Sequence, residues 1–278
     1  MEHLRWSAEP ELRRPVLIAA FEGWNDAGDA ASTAVRFLAE RWRAEPFADI
    51  EAEAFFDFTT HRPTVHLDDE GQRTIVWPRN RFLHANVAEL GDVILLDGTE
   101  PALMWRTFCG EVLEVVRQFD VSMVLTFGAL ISDVPHSRPV EVYGSSTDPD
   151  LSALHHFEPS SYEGPTGIVG VLQNELNKAG VVSASLWAAV PSYVHGSPSP
   201  KAALALVEKA AGMLDVGLGT TDLQIASAAY ERQVNTLVSD DEDTKDLVRQ
   251  LEQRYDEMSD PGGLVEEVEQ FLRERTDE

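Results

Sequence analysis

Basic side chains are scarce in this chain: 22 Lys and Arg stand against 48 Asp and Glu in 278 residues, a formal charge of −26. A surface of that sign repels phosphate backbones and anionic headgroups, so neither nucleic acid nor a membrane is an expected partner. Cysteine is scarcer still. Cys109 stands alone, which excludes an internal disulfide framework and any multi-cysteine zinc site and suits a reducing cytoplasm. Long apolar runs are missing too. None reaches the ~18 residues of a membrane span, and the opening MEHLRWSAEPELRRP has no apolar core of the ~7–15 residues that an export signal uses. A cytoplasmic protein is the expectation. The compact catalytic and cofactor motifs are also absent: the chain has no G-x-G-x-x-G, no G-K-[ST], no G-x-S-x-G and no H-x-x-x-H. No cofactor and no metal are therefore expected.

What is present is a 43% hydrophobic composition, enough to bury a sizeable core, in segments that alternate between strand and helix patterns. PVLIAAF (15–21) reads as a strand buried on both faces, and from Ala27 the residues Ala30, Ala31, Ala34, Leu38 and Trp42 recur at helical spacing. IEAEAFFDF (50–58), RTIVWP (73–78), DVILLDGTEP (92–101) and VSMVLTFGAL (121–130) read as strands, with the polar stretch 59–72 as loop. A helix carrying Leu103, Met104, Phe108, Val112, Val115, Val116 and Phe119 separates the last two. PVEVYG (139–144) is a short strand in a loop-rich region, GPTGIVGVLQNELNKAG (164–180) a helix closed by Gly180, and VSASLWAAVPSYV a strand. Such alternation predicts an α/β fold, a three-layer α/β/α sandwich with a mostly parallel sheet.

After HGSPSP (195–200) the pattern is helical throughout. One helix spans Ala202–Leu214, a second starts at a Thr221–Gln224 capping box, a third follows a Ser239–Glu242 box, and a last carries Leu264, Val268, Phe271 and Leu272. The expected organisation is a core domain over 1–215 and an acidic helical extension over 216–278. Residues 239–278 hold 15 acidic and 5 basic side chains, a solvated face or a negatively charged docking surface.

In a doubly wound sheet, ligands bind beyond the carboxyl ends of the strands. GWNDAGDAA follows the first strand, so Trp24, Asn25, Asp26 and Gly28 are candidate ligand- or partner-binding residues. Gly23 and Gly28 permit a tight corner, Asn25 or Asp26 can cap the helix, and Trp24 is suited to stacking or anchoring. Asp26 and Asp29 would repel a phosphate. DVPHSRPV places His136 and Arg138 at another strand end, able to bind an anion or move a proton, or simply lying in a stiff Pro135–Pro139 loop. Gly164 and Gly167 open a helix, where they could cradle an oxyanion or allow close packing. Asp97 and Glu100 flank a turn and could act as an acid-base pair or as turn and cap residues.

GWNDAGDAA, DVPHSRPV, YEGPTGIVG and SLWAAVPSYV, in this order across roughly residues 12–215, resemble the proteasome assembly chaperone (PAC2) family, specifically its actinobacterial branch. The resemblance implies an α/β/α core similar to nucleoside phosphorylases and related hydrolases, a homo-oligomer with a trimer among its forms, proteasome subunits as candidate partners, and no established reaction. The motif positions matched are Gly23, Trp24, Asn25, Asp26, Ala27, Gly28, His136, Arg138, Gly164 and Gly167. Chaperones of this type that dock on the proteasome ring often end in a hydrophobe, a Tyr and any residue. This chain ends RERTDE, which argues against that route. A protein-binding or assembly module with no established reaction is the leading expectation, binding being favoured over catalysis. The alternative is a metabolite-binding protein or phosphorylase/hydrolase-like enzyme using the crevice at the strand ends, and a purely structural oligomer is a third.

Overall fold

The structure is a computed structural model that describes residues 3–68, 70–157, 162–194 and 196–259. The expected last helix at Leu264–Leu272 and the RERTDE tail lie outside the described residues. An eight-stranded sheet forms the middle layer: β1 (Leu4–Trp6), β2 (Val16–Glu22), β3 (Glu45–Ile50), β6 (Asn80–Val87), β7 (Gly91–Thr99), β8 (Met123–Ser132), β9 (Val142–Ser146) and β10 (Ser183–Pro191). β4 (Thr64–Leu67) and β5 (Arg73–Val76) make a separate antiparallel hairpin. The helices are α1 (Ala30–Arg41), α2 (Trp105–Gln118), α3 (Pro149–His155), α4 (Ile168–Lys178), α5 (Pro200–Met213), α6 (Thr221–Ser239) and α7 (Glu242–Ser259).

The strand order is β1-β3-β6-β7-β2-β8-β10-β9. The parallel sheet expected from strand-helix alternation is its centre, β7-β2-β8-β10, and antiparallel pairings flank it on both sides. The sheet is thus mixed. The central strands are apolar on both faces because helices cover both. On one face Ile18, Ala20, Val93, Leu95, Leu125 and Phe127 pack against Ala31, Ala34 and Leu38 of α1 and Ala203, Leu206 and Val207 of α5. On the other, Leu17, Ala19, Phe21, Ile94 and Leu96 meet Phe108, Val112 and Val115 of α2 and Val169, Leu172 and Leu176 of α4. Residues one apart along each strand therefore belong to different layers.

Several elements differ from expectation. IEAEAFFDF is not a strand: β3 ends at Ile50 and the chain turns, sending Phe55 and Phe56 into the α2-side core. The carbonyl of Phe55 accepts the amides of Ala102 and Leu103. Leu103 and Met104 precede α2 and are exposed, with Met104 at φ +53. β4 lies inside the stretch expected as loop, and β6 and α3 are additional. Thr220, not Thr221, precedes α6 and its hydroxyl accepts from Gln224 Nε2. Asp241, not Ser239, receives the Thr244 amide at the start of α7.

The helices after α5 pack onto the core. Val216 and Leu223 join the α1–α5 side, while Tyr230, Val234 and Val238 of α6 and Val248 of α7 form a separate small cluster with Tyr193 and Val194.

Candidate functional site

All the central strands run in parallel, so the loops after β2, β7, β8 and β10 and the start of α4 meet at one edge of the sheet. β2 ends at Glu22, and Gly23 adopts φ +119, a conformation in which any side chain is strained. The reversal lets the chain re-enter the molecule at Asn25 and Asp26, which are 1% and 5% exposed. The Ala129 amide donates to the Asn25 carbonyl at 2.8 Å, tying the turn to β8.

Asp26 works as the helix cap, although Asp29 occupies the position before α1 at φ +50. Its Oδ1 accepts from the amides of Ala31 (2.7 Å) and Ser32 (3.3 Å). A carboxylate there meets free N–H groups and the positive end of the helix. Burial nevertheless dominates and pushes the Asp26 carboxyl up to about 6, against the lowering effect of hydrogen bonds from Ser32 and Ala31. Gly28 at φ +59 donates no side chain because Ser199 stands in its place: an added Cβ would lie 2.9 Å from Ser199 Cβ. The Ser199 amide donates to the Gly28 carbonyl at 2.7 Å, joining the turn to the start of α5.

The strongest convergence is on Glu100, just past β7. Its carboxylate accepts from Asn25 Nδ2 (2.7 Å), the Ile168 amide (2.8 Å) and the Trp24 amide (3.3 Å). The Ile168 bond caps α4. Gly167 is required here, since a Cβ would fall 2.3 Å from Asn25 Oδ1. The turn, the β7 end and the α4 start are thus locked together by one carboxylate. Asp97 faces elsewhere, toward Arg36 at 3.0 Å, so it and Glu100 have separate partners. Asn25 Oδ1 and Asp26 Oδ2 remain buried without a hydrogen-bond partner. Trp24 points outward, 63% exposed. Gly164 is exposed, and a Cβ added there would lie 2.6 Å from the Tyr162 hydroxyl.

His136 and Arg138 belong to a second cluster, on the β8–β9 connection, that holds the C-terminal helices. The buried His136 is held by two side chains from distant segments. Its amide donates to the Tyr193 hydroxyl at 2.7 Å, Nδ1 lies 2.8 Å from that hydroxyl, and Nε2 lies 3.2 Å from Asn235 Oδ1 of α6. An amide oxygen can only accept, so Nε2 carries the proton and Nδ1 accepts from Tyr193. Burial, helped by Lys201, lowers the imidazole's affinity for a second proton, while the Asn235 contact opposes it. Arg138 forks onto Asp256 of α7 through Nε (2.7 Å) and Nη2 (2.6 Å), with Glu252 at 3.5 Å. Ser137 donates to Glu252 as well. Lys201 donates to the His136 carbonyl and pairs with Glu231 at 2.7 Å. A cavity of about 10 Å3 beside His136, Ser199, Lys201 and Tyr230 has room for about one water.

The structure therefore brings Trp24, Asn25, Asp26, Gly28 and Gly167 into one network around Glu100 and Ser199, and gives His136 and Arg138 different partners. Sequence reasoning gave Glu100 two readings, half of an acid-base pair or a turn and cap residue, and the Ile168 bond makes it a cap. Its signal was a carboxylate one residue before Pro101 at a strand end, common turn chemistry. Tyr193, Asn235, Asp256 and Glu252 had no signal, being recruited from distant segments. The buried thiol of Cys109 is pushed up to about 12 by desolvation, the state of an inert side chain. Among the described residues no group of three His, Cys, Asp or Glu could hold a metal ion, and no helix is long and apolar enough to cross a membrane.

The PAC2 family profile matches residues 20–238. A PAC2 family protein from Streptomyces avermitilis is 45% identical, over 84% of this chain and 99% of its own, with a TM-score of 0.79. A Mycobacterium tuberculosis proteasome-assembly chaperone homologue is 40% identical, over 84% of this chain and 99% of its own, with a TM-score of 0.76. An archaeal proteasome activator from Pyrococcus furiosus shares the fold at 17% identity, over 85% of this chain and 99% of its own, with a TM-score of 0.70. No curated protein matches the chain.

Proposed function

The chain belongs to the PAC2 family, and from that premise we propose that it is a cytoplasmic protein-binding module that assists assembly of a multi-subunit complex, with proteasome α-subunits as its partner. The observation that carries this reading is the division of labour at the carboxyl edge of the sheet. The two carboxylates that organise it work internally: Glu100 accepts three donors and Asp26 caps α1 through Oδ1. Several large apolar side chains are left outward. Trp24 (63% exposed), Leu103, Met104 and Ile131 all follow or end parallel strands at this edge. Exposed apolar groups gathered beside a rigid scaffold suit a protein partner better than a polar reactant. The proteasome link rests on what the relatives are called, a proteasome-assembly chaperone homologue among them. A homo-oligomer, a trimer being one form, belongs to the same proposal and is read out by light scattering.

The test is native mass spectrometry of the purified full chain mixed with purified proteasome α-subunits of its host. A complex that is lost with Trp24→Ala plus Ile131→Ser supports the proposal; a complex unaffected by both, or none at all, overturns it. A second reading has one specific observation in its favour. Asn25 Oδ1 and Asp26 Oδ2, on consecutive residues, are buried and unpartnered, the kind of acceptors that a small metabolite donor would satisfy. A mass adduct lost on Asp26→Ala would support that crevice reading.

A further inference from the structure

A concavity of about 610 Å3 lies between α1 and the β6–β7 side of the sheet, lined by residues outside the WNDAG turn. Strand alternation explains its floor. Val93 and Leu95 of β7 and Leu83 of β6 point to the α1 side and are buried there. The next residues on that side, Asp97 and Arg81, line the concavity. Val76–Arg79, leaving the hairpin, contributes the outer wall.

Its charge is unlike the rest of the molecule. Four of the chain's 22 basic residues line it, Arg36, Arg43, Arg79 and Arg81, against Glu22, Glu40 and Asp97. Arg36 is committed to Asp97 (3.0 Å) and Glu22 (2.6 Å). Arg81 approaches Asp97 only at 3.9 Å, and its Nε is buried with no acceptor. Arg43 and Arg79 are exposed, and neither forms a salt bridge among the described residues; Arg79 shares with Arg81 only a longer-range attraction to Asp49 on the neighbouring strand. In a chain with 48 carboxylates to choose from, two exposed guanidinium groups that line the same hollow without a salt bridge are available for an external anion. Beside them Trp77 is half-exposed and braced by Phe58, edge to face at 4.8 Å. A braced indole offers apolar area at little entropic cost.

We propose that this groove binds a small anion with an apolar or aromatic body, carrying one carboxylate or phosphate group. Arg43 and Arg79 take the anion, with Arg81 beneath adding positive charge, and Trp77 with Val76 takes the body. The volume lies within the ~300–1,000 Å3 of small-molecule sites. Glu22, Glu40 and Asp97 repel polyphosphates and so set the charge limit.

The experiment is fluorescence anisotropy of 1-naphthyl phosphate against the full chain, with inorganic phosphate and neutral naphthalenemethanol as competitors. Saturable binding is expected, weakened ~10-fold or more in Arg43→Gln plus Arg79→Gln and again in Trp77→Ala, with both competitors much weaker than the probe. Trp24→Ala, at the sheet edge, should leave binding unchanged. Arg43 and Arg79 are exposed, and circular dichroism of the double variant checks that it folds. Absence of saturable binding, equal binding by the arginine variant, or equal competition by naphthalenemethanol overturns the proposal.

Discussion

Asp26 gives the account a quantitative test, because its two roles oppose each other. It caps α1 with Oδ1, yet its carboxyl is buried enough to be pushed from 3.8 up to about 6. A group whose folded pKa exceeds its unfolded one favours the native state fully below the unfolded value, and that contribution is lost as pH rises through the folded value. The rise corresponds to about 3 kcal/mol across the whole window, at about 1.4 kcal/mol per pKa step. Roughly half of it, about 1.4 kcal/mol, falls between pH 5 and pH 8. That range avoids the sequence pI of about 4.5. The perturbation is Asp26→Asn, which keeps the Oδ1 acceptor and cannot ionise. Urea unfolding at half-unit pH intervals gives the stability difference between wild type and variant, in which every other titrating group cancels. Wild type should lose about 1.4 kcal/mol relative to the variant from pH 5 to pH 8. Parallel curves, or a wild type that gains with pH, would refute the burial argument and mean that the cap hydrogen bonds dominate.

Glu100→Ala leaves the Asn25 amide and the Ile168 and Trp24 N–H groups without their acceptor, and should cost about 2–4 kcal/mol in urea unfolding, with Glu100→Gln costing less than half of that. Gly167→Ala drives a Cβ to 2.3 Å from Asn25 Oδ1 and should destabilise by at least about 2 kcal/mol, measured the same way. Arg138→Ala removes a fork onto an exposed carboxylate, so the midpoint of thermal unfolding should move by only about 2 °C or less. Amide exchange should rise in α7, where Asp256 sits, and not in the central strands.

The central layer was readable because its strands are apolar on both faces. PVLIAAF and VSMVLTFGAL have no competing periodicity, and helical stripes follow each of them. The antiparallel wing was not, for reasons particular to each segment. IEAEAFFDF alternates like a strand, but Phe55 and Phe56 are needed side by side in the α2-side core, which a straight strand could not supply. NRFLHANV interleaves Arg, His and Asn with its apolar residues and sits just after Pro78, so β6 carried no clear signal. At the candidate site, the glycines announced the close approaches at Gly28 and Gly167, and the motif Asn25-Asp26 its capping chemistry. Glu100 as the meeting point, and the recruitment of His136 and Arg138 by α6 and α7, depend on contacts between segments far apart in sequence. No local pattern encodes those.

The most direct test of the central claim is hydrogen exchange on the full chain with and without purified proteasome α-subunits. The account predicts protection concentrated at residues 23–28, 102–105 and 130–134, where Trp24, Leu103, Met104 and Ile131 stand exposed. Protection confined to α6 and α7, with that edge unchanged, would contradict it.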